Sequence, residues 1–426
     1  MEQPSPLVFA WDEPRGGRQV LVDDETLRDG LQSPSVREPS LEAKKEILHI
    51  LGQLGVRGVD LGMPAASPRV EAEVTALLSE IRDTRLPLVP NCAVRALERD
   101  ILTLARISQE VGHPLEAMLF LSFSALRRTV EGWGRGFLLH KLEQVVTLAR
   151  REGLAVTFVA EDASRTAPED LEAVFLCACH AGASRVCLAD TTGCLGPAGA
   201  WRIANFARTL LNRHGFASVG LDWHGHNDRG LAVACALAAA TAGADRLHGT
   251  LLGVGERTGN APTELLLLNL WLEGWQPGGV QGLRPAVQRV AELLAVPVPA
   301  NAPVVGNDAF RTGTGVHAAA ILKAREAGRR DLEELVYSPF PPSAVGGTVE
   351  VSIGPYSGAA NVRAWLAARG LPLGPETVAK VLKKAKAKSE PLSDGEIWAL
   401  LGEAPGPIGT LRGESRLEAG DTEPRR

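Results

Sequence analysis

The feature that most constrains the fold of this chain is a repeated alternation of short β-rich apolar runs with longer helical patterns. Eight such runs occur, and together with the intervening helices they span roughly 250 residues, the size typical of a (β/α)8 barrel. Several helical patterns end at a glycine just before the next run, which is a common helix stop signal. Strands that alternate with helices form parallel sheets. The strand candidates are QVLVDDET, GVRGVDLG, LPLVPNCA, EAMLFLSFS, LAVTFVAED, SRVCLADTT, SVGLDWHGH and ADRLHGTLLGVG.

The positions of the polar residues favour a TIM barrel over the alternative, a doubly wound open sheet. A count of strands alone does not prove that a sheet closes. However, polar residues cluster where the first, fifth, sixth, seventh and eighth runs end, and a barrel brings the carboxyl ends of all its strands to one mouth. The clusters are Arg28 with Asp29, Glu161 with Asp162, 190–192, 224–228 and 256–260.

The alternation stops after about residue 290, and the pattern beyond it predicts a second, mostly helical region. We expect a flexible extension at 1–18, a catalytic barrel at 19–290, helical subdomains at 291–402 and a disordered tail at 403–426. The final stretch is polar and rich in glycine and proline, a composition that does not support a packed core.

Composition and charge argue against several functional classes. The formal net charge is -5 at pH 7, whereas a nucleic-acid-binding surface is basic. No apolar run reaches the length of about 18 residues that a membrane helix needs, and the first residues do not resemble a signal peptide. None of the six cysteines forms a C-x-x-C pair, so reduced core thiols are favoured over a zinc site or disulfides. We expect a cytoplasmic protein that binds neither nucleic acid nor membrane.

The HGHND segment indicates a metal site. If His224 and His226 continue the seventh strand, its period of two places both imidazoles on one face, where they form a divalent metal pair. The alternative is a loop with two unrelated histidines. A hard cation also needs oxygen ligands, which Asp29 after strand one and Asn260 after strand eight supply. These four would leave about two positions of an octahedral ion for a bidentate 2-oxo acid, whose carbonyl the metal would polarise.

Five motifs, DETLRDGLQSPSV, EDASRT, LADTTG, HGHND and GVGERTGNA, together resemble the DRE-TIM metallolyase superfamily. Its members include 2-isopropylmalate, homocitrate and citramalate synthases and 3-hydroxy-3-methylglutaryl-CoA lyase. The resemblance implies a TIM barrel, a divalent metal (Mg2+, Mn2+ or Zn2+) and carbon–carbon bond chemistry on an acyl-CoA. The matching metal ligands are Asp29, His224 and His226, with Asn260 as a ligand or near-ligand.

The same resemblance implies roles for residues around the metal. Arg28 matches the arginine that stabilises the developing enolate or alkoxide charge, a task suited to a fixed guanidinium. Glu161 matches an acid that takes part in proton transfer in the synthases. Thr191 matches a threonine that binds the 2-oxo acid carboxylate, and Gln32 lies in the substrate-facing part of its motif. Arg127 aligns with an arginine that homocitrate synthases use for a distal carboxylate.

Two further segments resemble the synthases more than the lyases. The loop GVGERTGN lacks the cysteine that lyases carry just before the matching asparagine. GTGVHAAAILKA and YSPFPPSAVGG resemble synthase segments that bring the equivalents of His317 and Tyr337 to the acetyl-CoA end of the site, typically from the partner subunit of a homodimer. The predicted activity is a metal-dependent Claisen condensation of acetyl-CoA with a 2-oxo acid. A carbon–carbon-cleaving acyl-CoA lyase or aldolase and a non-catalytic metal-binding paralogue remain alternatives.

The sequence leaves the identity of the 2-oxo acid open. Arg127 indicates a homocitrate synthase, whereas GMPAASP at 62–68 is closer to isopropylmalate synthases. Leu31 replaces an acid common to both, and DGLQ occurs in the lyases. The mixture indicates a divergent enzyme whose substrate need not be either standard one.

Overall fold

The computed structural model describes residues 17–276 and 278–402. Most of the expected extension at 1–18 and the whole of the expected tail at 403–426 lie outside the described residues. The described chain divides into two compact units. The first comprises 17–306 with Ala344–Gly346, and the second comprises Asn307–Ser343 with 347–402.

The first unit contains a closed barrel of eight parallel strands in sequential order, with the first strand also pairing with the eighth. The predicted TIM barrel is therefore confirmed, and the open-sheet alternative is wrong. Each strand contains residues of one predicted run. The strands are β1 (Leu21–Asp24), β2 (Gly58–Asp60), β3 (Val89–Arg95), β4 (Glu116–Ser122), β5 (Ala155–Glu161), β6 (Arg185–Asp190), β7 (Gly220–Gly225) and β8 (Arg246–Gly249).

Helices follow each strand, and their ends have recognisable causes. The hydroxyls of Ser40 and Ser67 accept hydrogen bonds from the first turns of the helices that they precede, as N-cap residues do. Gly112 adopts a left-handed conformation with φ 70° and ends the third helix. The helices are α1 (Leu41–Gln53), α2 (Pro68–Thr84), α3 (Glu98–Val111), α4 (Ala125–Glu131), α5 (Arg135–Arg151), α6 (Pro168–His180), α7 (Pro197–Arg213), α8 (Ala232–Thr241), α9 (Thr263–Leu272) and α10 (Leu283–Leu294).

The boundary expected at 290 falls inside α10, and the first unit continues to Gly306. This helix buries Val287, Val290 and Leu294 on one face. A helix with one apolar face must bury it against neighbouring elements, so the chain cannot change units in the middle of α10. The alternation of strands and helices ends near residue 290, but the first compact unit continues to Gly306.

The second unit is mostly helical, as predicted, and contains one short parallel strand pair. Its core is built around Trp365 and Trp398, whose ring centroids lie 5.4 Å apart. The described elements are β9 (Arg311–Thr312), α11 (Gly315–Glu326), α12 (Arg330–Leu335), β10 (Glu350–Val351), α13 (Ala359–Ala367), α14 (Pro375–Lys386) and α15 (Asp394–Leu401).

The barrel interior contains a buried ionic network, although branched aliphatic residues dominate most TIM-barrel cores. At the amino-terminal end of β8, Arg246 donates hydrogen bonds to Glu116 (2.9 and 3.0 Å) and to Asp222 (2.8 Å). Asp222 also accepts from Arg185 at 2.8 Å and lies 3.2 Å from His248 Nε2. Burial opposes its ionisation, but Arg246 and Arg185 hold the pKa of Asp222 well below its usual range. Charged groups therefore extend up the barrel axis from the starts of the strands.

Candidate active site

The charged segment after β1 is buried rather than solvated. Asp24 ends the strand, and its carboxylate accepts hydrogen bonds from the Thr26 N–H (3.0 Å) and from the Thr263 hydroxyl (2.6 Å). The chain then turns through a short 3-10 helix at Gly30–Gln32. Asp29 immediately precedes this helix and is only 3% exposed. The turn therefore directs Arg28 and Asp29 into the barrel mouth, where the ends of β7 and β8 also lie.

Asp29, His224 and His226 form the group that the sequence predicted. Each offers one ligand atom, and these atoms lie within 4.8 Å of one another. Burial and the neighbouring His224 lower the pKa of His226 to about 4, so this imidazole is neutral at pH 7. A neutral imidazole is the form that binds metal ions.

Asn260 completes this group from the loop after β8. Its Nδ2 donates to Asp29 Oδ1 at 2.7 Å, while its Oδ1 is buried without a hydrogen-bond partner among the described residues. Gly255 has φ 152°, and a Cβ there would collide with Asn260 Nδ2, so glycine allows this close approach. Buried polar atoms are almost always paired. An open amide oxygen beside a carboxylate and two imidazoles therefore fits a divalent cation.

Arg28 is held by three carboxylates at once. Its Nε donates to Asp60 Oδ2 (2.9 Å), its Nη1 donates to Asp29 Oδ2 (2.9 Å), and its Nη2 donates to Glu25. Burial opposes the charge, but the three carboxylates raise the pKa of Arg28 above its usual value. The guanidinium is therefore a permanently charged group in a fixed orientation. Asp60 was not predicted as a site residue, although it is an acid near the end of predicted strand two, which was the available signal.

Glu25 and His248, which were not predicted as site residues, lie below His224. Glu25 Oε2 lies 3.2 Å from His224 Nδ1, and Glu25 Oε1 lies 2.7 Å from His248 Nδ1. Burial alone would lower the pKa of His248, but its hydrogen bonds to Asp222 and Glu25 raise it to about 10. This imidazolium links the ionic network of the barrel core to the histidines at the mouth.

The other predicted residues of the barrel lie at or near the ends of strands. Glu161 ends β5, and burial raises its pKa above the usual value despite the charge of Arg127. Arg127 lies in α4, pairs with Glu131 at 3.1 Å and is half exposed. The Thr191 hydroxyl accepts a hydrogen bond from the Asp162 N–H at 2.8 Å. Gln32 is exposed at the end of the 3-10 turn.

His317 and Tyr337 meet within the second unit. Their rings stack with centroids 3.7 Å apart and an interplanar angle of 26°. His317 Nδ1 lies 3.1 Å from the Thr312 hydroxyl, and Tyr337 is 45% exposed. Two residues that lie 20 positions apart in sequence thus form one partly exposed aromatic pair at the start of α11.

The remaining expectations concern thiols and membranes. All six cysteines are free, as expected for reduced thiols, and four of them are buried while Cys177 and Cys194 are partly exposed. Within residues 17–276 and 278–402, no helix is both long and apolar enough to cross a membrane.

Comparisons with known proteins agree with the fold and with the motifs. A family model described as HMGL-like matches residues 19–283. Homocitrate synthase AksA of Methanopyrus kandleri is 35% identical over 378 residues, which cover 87% of each chain. The 2-isopropylmalate synthase of Sulfolobus acidocaldarius is 30% identical over 88% of this chain and 92% of its own. A crystal structure of Bacillus subtilis HMG-CoA lyase, 21% identical, aligns with TM-score 0.55 over 67% of this chain and 96% of that chain. At that identity, the structural likeness shows the fold alone.

Proposed function

Because this chain belongs to the HMGL-like family, we propose that it is an acyltransferase that condenses acetyl-CoA with a 2-oxo acid. The observation that carries the proposal is the buried group Asp29, His224 and His226 beside the open Asn260 oxygen and the charged Arg28. Relatives named as homocitrate and 2-isopropylmalate synthases, which align along most of this chain, support condensation rather than cleavage.

The proposed reaction forms one carbon–carbon bond and hydrolyses one thioester. A base removes a proton from the thioester methyl group, and the resulting enolate carbon attacks the keto carbon of the 2-oxo acid. The former keto oxygen takes up a proton. Water then cleaves the thioester, which gives a 2-substituted malate and free CoA.

Asp29, His224, His226 and Asn260 are the residues that would hold a divalent metal. When bound, such an ion would supply Lewis-acid polarisation of the 2-oxo acid carbonyl. Arg28 stabilises the negative charge that develops on oxygen, because its guanidinium is already oriented and needs no reorganisation during the reaction.

Proton transfer is assigned to Glu161 and His317. Burial raises the pKa of Glu161, which brings a carboxylate closer to the range in which it can take and return a proton near neutral pH. His317 carries an imidazole, the side chain that most often serves as a general acid or base. Stacking against Tyr337 limits the orientations of this ring.

Three residues at or near strand ends are proposed to contact the 2-oxo acid. Thr191 and Gln32 are assigned to the 2-oxo acid, and Arg127 is assigned to the far end of its chain. Arg127 is half exposed, and its guanidinium pairs with Glu131 at 3.1 Å and lies 5.9 Å from the centre of the Trp133 ring, so a substrate carboxylate could replace Glu131 as its ionic partner. A 2-oxo acid with a distal carboxylate is therefore the first candidate substrate.

The function is tested by measuring the release of CoA thiol from acetyl-CoA against a panel of 2-oxo acids. The expected result is release that requires both a 2-oxo acid and added Mg2+, Mn2+ or Zn2+. The panel includes 2-oxoglutarate, 2-oxoisovalerate and pyruvate, which differ in the group that Arg127 would meet. If no 2-oxo acid stimulates release with any of these metals, and the enzyme instead cleaves 3-hydroxy-3-methylglutaryl-CoA, it is a lyase.

We further propose a homodimer in which His317 and Tyr337 of one chain serve the acetyl-CoA end of the partner's site. Asp29→Ala and His317→Ala variants should each be inactive, whereas co-expression should restore activity. Random pairing places both defects in one site of each mixed dimer and leaves the other intact, so about a quarter of all sites would be active. Two inactive variants that fail to complement one another would contradict this arrangement.

A further inference from the structure

Glu25 lies directly beneath the predicted metal group, with one carboxylate oxygen toward each of two histidines. Its Oε2 is 3.2 Å from His224 Nδ1, and its Oε1 is 2.7 Å from His248 Nδ1. Glu25 is 2% exposed and His248 is 1% exposed. Neither contact can therefore be a chance pairing of mobile surface side chains.

The Glu25 contact determines which nitrogen of His224 carries hydrogen. An ionised carboxylate only accepts hydrogen bonds, so His224 Nδ1 must be the donor. Glu25 Oε2 also accepts a hydrogen bond from Arg28 Nη2, and a guanidinium is always charged, so Glu25 is paired as a carboxylate. With hydrogen on Nδ1, the Nε2 lone pair of His224 remains available for a metal ion.

Glu25 is in turn fixed from below. His248 Nδ1 faces Glu25, and His248 Nε2 faces Asp222 Oδ2 at 3.2 Å. Asp222 is anchored by Arg246 and Arg185 at 2.8 Å each. The carboxylate under His224 is thus tied to a network of mostly buried charged side chains on β6, β7 and β8.

We propose that Glu25, oriented by His248, is a positioning residue that fixes the Nδ1–H tautomer and ring orientation of His224. The inference rests on the proposed function, because His224 would have to be a metal ligand for its tautomer to matter. Residues that orient metal-binding histidines in this way affect metal affinity by about 10–100-fold.

The test substitutes Glu25 with glutamine, which preserves size. The glutamine amide can donate to His224 Nδ1 and reverse the tautomer, so Nε2 would then carry the hydrogen. The expected result is an approximately 10–100-fold weaker Mn2+ affinity by calorimetry on protein stripped of metal. Histidine-selective 15N NMR of the metal-free protein should also show that the hydrogen of His224 moves from Nδ1 to Nε2, with His224→Gln used to assign the signal.

Asp60→Asn is the matched control. Asp60 is a buried carboxylate that contacts Arg28, as Glu25 does, but none of its described hydrogen bonds involves a histidine. The Asp60→Asn substitution should therefore leave the His224 tautomer unchanged. His248→Gln should weaken Mn2+ binding less than Glu25→Gln does, because Glu25 would remain in place. Circular dichroism checks that each variant is folded.

The possible outcomes separate this inference from the proposed function. If the wild-type protein binds no Mn2+, both the proposed function and the positioning role of Glu25 are refuted. If the wild type binds Mn2+ but Glu25→Gln binds it equally well, or if wild-type His224 carries its hydrogen on Nε2, the positioning role alone is refuted.

Discussion

Replacing Asp29 with alanine is expected to abolish Mn2+ binding and to lower 2-oxo-acid-dependent CoA release by at least about 10³-fold. Asp29 contributes the carboxylate of the group formed with His224 and His226, and it also orients Asn260 through a 2.7 Å hydrogen bond. The substitution removes the Asp29 carboxylate as a ligand, and it also removes the hydrogen bond that orients Asn260. The imidazoles of His224 and His226 would then be the main ligands left, and two imidazoles alone hold a hard cation weakly.

Asp228→Ala provides the control for the Asp29 substitution. Asp228 belongs to the same HGHND motif, but its carboxylate pairs with Arg257 at 2.9 and 3.1 Å. It should retain Mn2+ affinity, as measured by calorimetry or by electron paramagnetic resonance of free Mn2+. Equal losses of affinity in Asp29→Ala and Asp228→Ala would contradict the ligand assignment.

Arg28→Lys is expected to lower kcat by about 10²–10³-fold, the loss seen when one preorganised donor to a developing oxyanion is removed. Lysine keeps a positive charge among Glu25, Asp29 and Asp60, so the buried carboxylates stay compensated and the fold should persist. A flexible ammonium cannot reproduce the planar set of donors by which Arg28 meets all three. In the variant, the negative charge that develops on the substrate oxygen would therefore lie beside an ammonium group that is no longer held in one orientation.

Steady-state kinetics and calorimetry together test the role of Arg28. The expected pattern is a reduced kcat with Mn2+ binding still measurable, since Arg28 is not assigned as a ligand. Arg289→Lys is the matched control, because Arg289 also makes a two-point contact with a carboxylate, that of Glu46, but on an exposed surface. A kcat for Arg28→Lys within tenfold of the Arg289→Lys value would rule out the charge-stabilising role.

The barrel and the cluster of Asp29, His224 and His226 were predictable because both depend on local regularities. The alternation of runs and helices predicted eight strands, and the period of two along β7 placed His224 and His226 together. The polar clusters at strand ends identified Arg28, Asp29 and Asn260 because parallel strands of a barrel end at one mouth.

The supporting residues were not predictable, since their partners lie far away in sequence. Glu25 and His248 are 223 positions apart, and Arg246 and Glu116 are 130 apart. No periodicity within a single strand indicates which buried charges will face one another across a closed barrel. The end of the first unit was missed for a related reason, because α10 has an ordinary amphipathic pattern whose buried face is decided by what it packs against.

The proposed reaction joins the acetyl group of acetyl-CoA to the keto carbon of a 2-oxo acid. The most direct measurement supplies acetyl-CoA with 13C at both acetyl carbons, together with Mn2+ and the best 2-oxo acid of the panel, and identifies the product by mass spectrometry and 13C NMR. The expected product is a 2-substituted malate that carries both labelled carbons, with the labelled methylene bonded to the former keto carbon. Recovery of the label only as acetate, with the 2-oxo acid unchanged, would contradict this reaction.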